Sequence, residues 1–405
     1  MIRNLFKRDQ LQNSFPYLIL FLFNLFLFRE IVFKGHLLGG TDFISFYLEM
    51  KHFLYIQLHK YHSIPFWNPY IFGGMPFLAH FESTIFYPLD LLFWIIRPQK
   101  AYGYTMFIHV YLAGIFAYIL ARSFKISKTG SLITGTIYMC NGYLMAILFL
   151  GQMCPVQSYI YLPIIIFYLN KALNSDDTIF YASIAGILWG IQILAGAPQN
   201  AFYSFITGIG FLLFHIRLSL KQNFKIIKIT IYFFLLGVML SAIQIIPSFE
   251  LIQHSVRAAL DSYEMVTIGS YPPEGIITTI MPYFFGSYIK NTYWVKDIPW
   301  SIPQQNLYIG IVALVLIYFI RVHSSNNKRI YLFFLSLMAL SILLALGRYT
   351  PIYKIIYYIP GFNRFRAPSK IIALWMFSAS ILAGKGLDNL FTNINMKKGK
   401  IVPLF

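Results

Sequence analysis

The chain has 405 residues, of which 58% are hydrophobic and only 11% are charged, and its net charge is +18. Soluble domains usually contain about 25% charged residues, so this composition excludes an ordinary soluble globular protein. The basic residues lie mainly between apolar blocks of roughly 20 residues, so the positive charge does not indicate nucleic-acid binding.

The sequence predicts an all-α polytopic membrane protein with a single transmembrane domain over residues 1–405. Ten apolar segments have the length and composition of membrane-spanning helices. They are residues 15–33, 104–121, 131–150, 156–172, 178–195, 200–216, 227–246, 307–320, 330–346 and 370–387. The basic N-terminus leads into the first segment without a small-residue cleavage site, which predicts a signal anchor and not a removable signal peptide.

The distribution of basic residues predicts the orientation. With a cytoplasmic N-terminus, 18 of the 32 Lys and Arg residues fall in cytoplasmic segments, as the positive-inside rule requires. Five loops then lie on the outer side, at residues 34–103, 151–155, 196–199, 247–306 and 347–369. Because all five share one side, they can converge on one site. Two apolar pieces that are too short to span, 85–96 and 351–360, are predicted to be interfacial helices.

The first outer loop contains the main candidate for a catalytic residue. Asp42 follows a Gly-Gly-Thr run shortly after the first span. A carboxylate near the bilayer surface can act as a general base or hold a metal. The alternatives are a solvated loop acid and the N-cap of a helix over 43–59. Farther along, Glu82 is a candidate second acid with His80 beside it, although a rim glutamate and a structural histidine are equally good interpretations.

The same loop is rich in aromatic residues. Trp67 and Asn68 are candidate substrate-binding residues in a Pro-Phe-Trp-Asn-Pro-Tyr segment. Trp67, Tyr70, Phe77 and Tyr87 could stack on sugar rings. The general alternative is that these side chains belong to the aromatic belt at the membrane interface.

The last outer loop contains a basic cluster on the side where the positive-inside rule disfavours it. Arg364, Arg366 and Lys370 lie just outside the final span, and Arg348 and Lys354 precede them. Arginine offers bidentate donors and lysine a point charge, which suits a phosphate or diphosphate. Binding of anionic lipid headgroups is the alternative.

Other outer segments supply weaker candidates. Gln199 follows a Gly-Ala-Pro turn and could reach a substrate hydroxyl, or the segment could simply form the turn. Glu250 lies at the outer end of the seventh predicted span, where polar residues are often only interfacial. The histidines show no metal-binding spacing, so no metal site is predicted. No Gly-rich phosphate loop or nucleophilic Ser elbow occurs, which argues against a nucleotide cofactor.

Several of these motifs together resemble the bacterial YfhO-type membrane protein family, which is related to the GT-C glycosyltransferases. The resemblance covers about residues 15–390 and rests on Gly39-Gly40-Thr41-Asp42, Pro65-Phe66-Trp67-Asn68-Pro69-Tyr70, Gly74-Met75-Pro76-Phe77, Phe86-Tyr87-Pro88-Leu89, Ala195-Gly196-Ala197-Pro198-Gln199 and Arg364-Phe365-Arg366-Ala367-Pro368. It implies a GT-C-like fold, a polyprenyl-phosphate-linked sugar donor and transfer on the outer face of the membrane. It also implies a catalytic acid in the first outer loop, at Asp42, and a basic motif at Arg364 and Arg366. Typical members are longer, so a fragment or a compact version of that architecture is expected.

The leading hypothesis is an inverting glycosyltransferase of the bacterial cytoplasmic membrane. Arg364, Arg366 and Lys370 would hold the donor phosphate, and Asp42 would deprotonate a hydroxyl of a cell-envelope acceptor. Membrane lipids are the other expected partners, and participation of Mg²⁺ or Mn²⁺ stays open.

Two other classes of protein are the alternatives. A transporter or flippase of a lipid-linked saccharide should carry polar residues near the middle of the membrane. The predicted span centres are apolar apart from Gln192, Asn24 and His109, which favours chemistry at the surface. A structural scaffold would not explain the cations gathered on the outer face.

Overall fold

A computed structural model describes residues 2–216, 219–255, 262–287, 290, 292–294, 306–321 and 328–399, with side chains described from residue 14 to residue 392. The described chain is mainly helical. Its α-helices are α1 Ile2–Leu27, α2 Arg29–Lys34, α3 Leu48–Lys60, α4 Leu92–Ile95, α5 Pro98–Ser123, α6 Lys128–Cys140, α7 Gly142–Phe149, α8 Met153–Tyr159, α9 Tyr161–Asn174, α10 Thr178–Leu194, α11 Pro198–Leu213, α12 Leu220–Gln253, α13 Tyr263–Val266, α14 Ile311–Tyr318, α15 Lys328–Ala345, α16 Pro351–Ile356 and α17 Ile372–Gly399. A π-helix, Phe43–Tyr47, leads into α3, and strands β1 Trp67–Asn68 and β2 Met75–Pro76 pair antiparallel.

Six helical segments are long and apolar enough to cross a membrane, which confirms a multi-pass membrane protein. They are Pro98–Ser123, Lys128–Phe149, Met153–Asn174, Leu220–Gln253, Lys328–Ala345 and Pro368–Thr392. Ser14–Leu27 and Thr178–Leu194 are shorter apolar helices. All six coincide with segments predicted from the sequence.

The other four predicted spans are not established as spans, although each contains helix. The clearest difference is residues 307–320, where α14 has only 8 residues. At 1.5 Å per residue this helix is about 12 Å long, well short of a hydrocarbon core of about 30 Å. Hydropathy detected the apolar run, but it could not show that residues 306–310 lie outside the helix and that Gly310 turns the chain with a φ of +93°.

Small residues allow the helices to pack closely. α10 packs along α12, where a Cβ at Gly186 would lie 2.7 Å from the Phe233 carbonyl and a Cβ at Gly190 would lie 2.8 Å from the Gly237 carbonyl. In a membrane, where the hydrophobic effect does not drive helices together, such close backbone contact supplies much of the association energy. α17 packs against α6, α14 and α15, and its residues 372–384 are buried.

The polar residues of the span centres make contacts between helices. Asn24 Nδ2 donates to the Phe107 carbonyl at 2.9 Å. Gln192 Nε2 donates to the Ser158 carbonyl at 2.9 Å and to Ser204 Oγ at 2.8 Å. These amides join neighbouring helices, as polar side chains commonly do inside membrane bundles.

The predicted orientation has a direct labelling test. In a background with Cys140→Ala and Cys154→Ala, we expect cysteines at the exposed positions Ser63 and Tyr358 to react with a membrane-impermeant thiol reagent on intact spheroplasts. Ser369, although it lies in the last outer loop, is fully buried and unsuitable for labelling.

A cysteine at the exposed residue Asp176 is the matched control, because the predicted topology places it in the cytoplasm. It should react only after lysis. Reaction of Ser63→Cys or Tyr358→Cys only after lysis would contradict the predicted orientation.

Candidate functional site

The first and second predicted outer loops are in direct backbone contact. The Asp42 amide donates to the Leu150 carbonyl at 2.9 Å. A Cβ on Gly40 would lie 2.4 Å from the Gly151 amide nitrogen, so only glycine permits this approach. The Gly-Gly pair therefore fixes the backbone just before Asp42 against the end of α7.

The third and fourth outer segments contact the first. A Cβ on Gly196 would lie 2.6 Å from Thr84 Cγ2 and 2.7 Å from Cys154 Sγ, so this turn packs tightly on the first loop. Near the C-terminal end of α12, Ser248 Oγ donates to the Ala79 carbonyl at 2.6 Å, and Gln244 Nε2 donates to the Leu78 carbonyl at 3.0 Å. The first loop is thus held by helices from two other parts of the bundle.

The last outer segment joins the same layer. Gln199 Nε2 donates to the Arg366 carbonyl at 3.0 Å. The Ala367 amide donates to the Ile268 carbonyl at 2.9 Å, and the Arg348 amide donates to Ser270 Oγ at 3.0 Å. The described residues of the five segments that the sequence assigned to one side are therefore connected by direct contacts, and we call them the connected layer; that this side is the outer one stays a prediction.

Asp42 lies half-buried at the start of the π-helix Phe43–Tyr47. Its carboxylate makes no capping hydrogen bond, so the structure does not support the N-cap interpretation. Thr41 Oγ1 lies 3.4 Å from Asp42 Oδ1, and the ring of Phe43 stacks on Tyr102 with centroids 3.6 Å apart. π-Helical turns are rare in proteins overall, and those that do occur frequently lie at functional sites.

Glu82 lies on the 3₁₀-helix Phe81–Ser83 and accepts a hydrogen bond from Tyr47 at 3.1 Å. Burial, with the nearby Cys154 and Glu82, raises the pKa of Tyr47 well above its usual value. The phenol therefore keeps its proton at neutral pH and orients the carboxylate. His80 is half-buried, and the centroid of its ring lies 5.8 Å from that of the Phe46 ring.

Trp67 and Asn68 form the first strand of the β-hairpin. Asn68 is buried, and its Oδ1 accepts from the Tyr70 amide at 3.0 Å, which closes the turn. Trp67 is 55% exposed and its ring covers Gly74. Phe77, by contrast, is fully buried, and so is Tyr87, so neither ring is available to stack on a sugar.

The basic loop is anchored by aromatic packing. The ring of Phe202, on α11, lies between Phe362 at 5.3 Å and Phe365 at 5.4 Å. Because the phenylalanines point inward, Arg364 and Arg366 are exposed on the other side of the loop.

The loop then turns sharply into α17. Ala367 has a φ of +63°, a conformation that a non-glycine residue adopts only when its surroundings enforce it. The Gln199 side chain and the Ile268 carbonyl supply these constraints through the hydrogen bonds given above. Gln199 therefore holds the loop that carries the arginines, and this use was not predicted from the sequence.

Lys370 and Glu250 are the remaining predicted residues. Lys370 is half-buried on the 3₁₀-helix Pro368–Ile371. Glu250 is exposed on the last turns of α12. Among the described residues, no three His, Cys, Asp or Glu side chains are grouped as metal ligands would be.

The structure also contains a buried ion pair that sequence reasoning missed. Lys51 Nζ lies 2.6 Å from Asp90 Oδ2, and both side chains are 1% exposed. Lys51 also donates to the Ser83 carbonyl at 2.9 Å, and Gln157 Nε2 donates to Asp90 Oδ1 at 2.5 Å. Thr84, with a φ of +49°, hydrogen-bonds both charged groups.

This network lies at the contact between the first outer loop and α8, beside the predicted acid Glu82. A sequence signal existed, because Asp90 lies in an otherwise apolar run. An ionised group in such a run requires a partner, although the sequence did not show that this partner is Lys51.

Comparison with solved structures finds similarity to two structures of the archaeal oligosaccharyltransferase AglB from Archaeoglobus fulgidus. The first, in complex with an inhibitory peptide and a dolichol-phosphate, matches 96% of this chain and 52% of its own at 13% identity and a TM-score of 0.43. The second, a complex with Zn and sulfate, matches 94% of this chain and 50% of its own at 14% identity and a TM-score of 0.40. This chain therefore spans about half the length of those proteins. No protein-family model and no curated protein matches the chain, so the resemblance to the YfhO-type family stays a prediction.

Proposed function

We propose that this chain is a membrane glycosyltransferase that uses a polyprenyl-phosphate-linked sugar and glycosylates a cell-envelope acceptor on the outer face of the membrane. Arg364, Arg366 and Lys370 bind the donor phosphate. Asp42 is the general base that deprotonates the acceptor hydroxyl, and Glu82, which accepts a hydrogen bond from Tyr47, is the second acid.

The observation that carries this proposal is the connected layer. The Gly40–Gly151 contact and the Gln199–Arg366 hydrogen bond join the backbone next to the candidate base, and the backbone of one candidate phosphate ligand, to the packed helices, which supports the proposal. Catalysis requires groups held in place before the substrate arrives. A constrained αL residue next to exposed arginines is a feature that accompanies functional sites.

The chemistry follows from the charges. As the bond between the anomeric carbon and the phosphate oxygen breaks, the lipid phosphate leaves with an additional negative charge. The exposed guanidinium groups of Arg364 and Arg366 stabilise that charge. The acceptor hydroxyl transfers its proton to Asp42 and its oxygen bonds to the anomeric carbon, which inverts the configuration at that carbon.

A transporter of a lipid-linked saccharide is the second candidate. The polar residues in the centre of the bundle favour the enzyme instead, because Asn24 and Gln192 bind neighbouring helices. A cavity beside Gln192 has a volume of about 20 Å³, which accommodates roughly one water molecule and no sugar.

The arginines provide the test of the phosphate site. Arg364→Lys and Arg366→Lys keep the charge but lose the bidentate donor geometry. We expect each to cost about 2–4 kcal/mol of transition-state stabilisation, by analogy with the loss of one oxyanion-hole donor. The measurement is turnover of purified protein at saturating donor in an anionic-lipid bilayer.

Lys354→Arg is the matched control, since Lys354 is an exposed cation in the same outer segment, and its turnover should be unchanged. A headgroup anchor responds to charge alone, at about 1 kcal/mol per cation. Full activity of both arginine variants would assign these residues to lipid anchoring and contradict the donor-phosphate role.

A further inference from the structure

The β-hairpin of the first outer loop exposes a cluster of large aromatic side chains. Phe72 is 94% exposed, Tyr70 is 83% exposed and Phe66 is 70% exposed, with Trp67 beside them. We call these four residues the aromatic tip. Isolated exposed apolar residues are normal, but a contiguous group of large ones marks an interaction surface.

The backbone shows that the fold holds the aromatic tip open. Phe72 has a φ of +54°, which is an outlier for a bulky side chain. Gly73 and Gly74 follow at φ +75° and +120° and complete the turn, and the buried Asn68 closes it from inside. Such strain persists only where the surroundings enforce it, and here it directs a phenylalanine away from the protein.

The composition of the hairpin matches a non-aqueous partner. Residues 64–79 contain no Lys, Arg, Asp or Glu. A surface that binds a protein or a charged polymer in water usually has a polar rim. A segment without formal charge and rich in Phe, Trp and Tyr is typical of the interfacial layer of a bilayer.

The place where the hairpin attaches to α12 indicates which partner the aromatic tip contacts. The base of the hairpin is bonded to Gln244 and Ser248 through the carbonyls of Leu78 and Ala79. On the inner half of α12, Lys228 marks the boundary of the apolar stretch. The roughly 20 residues from Lys228 to Ser248 rise about 30 Å, the thickness of the hydrocarbon core.

The hairpin is therefore attached where α12 leaves the hydrocarbon. On the same helix, Met239, Ile246 and Phe249 are exposed, as expected for side chains that face lipid. The apolar surface of the helix and the base of the hairpin are thus neighbours, and the aromatic tip lies only a few residues along the chain from that base.

From this placement we propose that the aromatic tip inserts into the outer leaflet of the bilayer and anchors the first outer loop to the lipid surface. The partner is the lipid itself, at the level of the headgroups and the upper acyl chains. The proposal does not depend on the glycosyltransferase assignment, and its test requires no activity.

Spin labels measure the depth directly. In the cysteine-free background, Phe72→Cys and Tyr70→Cys are labelled with a nitroxide and reconstituted into phosphatidylcholine–phosphatidylglycerol vesicles. Collision with oxygen, which concentrates in lipid, is compared with collision with a water-soluble nickel chelate. Met239→Cys is the lipid-facing reference, and the exposed Ser63→Cys, just outside the aromatic tip, is the aqueous reference.

We expect the ratio of oxygen to nickel collisions at positions 70 and 72 to be several-fold higher than at position 63 and to approach that at position 239. Using both positions protects the test if replacing the strained Phe72 disturbs the turn. Ratios equal to that at position 63 would overturn the proposal. A fall in both collision rates only on addition of an envelope-glycan fragment would also overturn it, because the aromatic tip would then bind sugar rings.

Discussion

Replacing Asp42 with Asn should lower the rate of glycosyl transfer by about 10²–10⁴-fold, the usual contribution of a general base. The substitution keeps the size of the side chain and removes the proton acceptor. The backbone bond from the Asp42 amide to the Leu150 carbonyl and the glycine contact before it do not involve the carboxylate. Protein level and melting temperature should therefore match those of the wild type.

The rate is measured as release of polyprenyl phosphate by purified protein at saturating donor. Asp176→Asn is the control, since Asp176 is an exposed acid in a different loop, and its rate should equal that of the wild type. A rate for Asp42→Asn within a few-fold of the wild type would reduce Asp42 to an ordinary loop residue.

The second large effect concerns stability. Asp90→Asn leaves the Lys51 ammonium buried without its counter-charge, and breaking such a pair typically costs about 3–5 kcal/mol. Both side chains are 1% exposed, so solvent cannot compensate for the loss. We expect a clear fall in the melting temperature of the detergent-solubilised protein.

Two variants complete this experiment. The double variant Lys51→Met with Asp90→Leu should recover part of the lost stability, because it removes both buried charges but leaves Gln157 and Thr84 without these partners. Lys34→Ala removes an exposed pair with Glu30, which is worth about 0–1 kcal/mol, and should leave the melting temperature nearly unchanged. Equal melting temperatures for Asp90→Asn and the wild type would contradict a structural role for the buried pair.

The part of the fold that was predictable depends on local patterns. Apolar runs located all six of the long helices, and the loops that were grouped by charge meet in one layer. The length of each helix was less predictable, as α14 shows, because hydropathy averages over a window while the helix begins only after Gly310.

Motifs and charge single out Asp42 and the arginines in the sequence, and their catalytic and phosphate-binding roles stay predictions. The contacts that hold the segments carrying these residues in place were not predictable from the sequence. Lys51 and Asp90 are far apart in sequence, and only the fold shows that they pair. Likewise the sequence could not tell that Phe77 is buried while Phe72 is exposed, because both are phenylalanines near glycines in one loop.

The most direct test of the central claim follows the sugar itself. Purified protein in phosphatidylcholine–phosphatidylglycerol vesicles is supplied with lipid-linked sugars and envelope material from cells that lack this chain, and mass spectrometry monitors both. The glycosyltransferase account predicts that a sugar leaves its polyprenyl phosphate and appears on the envelope acceptor, with wild type active and Asp42→Asn nearly inactive. Lipid-linked sugars that remain intact in the presence of the wild-type protein, whether or not they cross the bilayer, would contradict it.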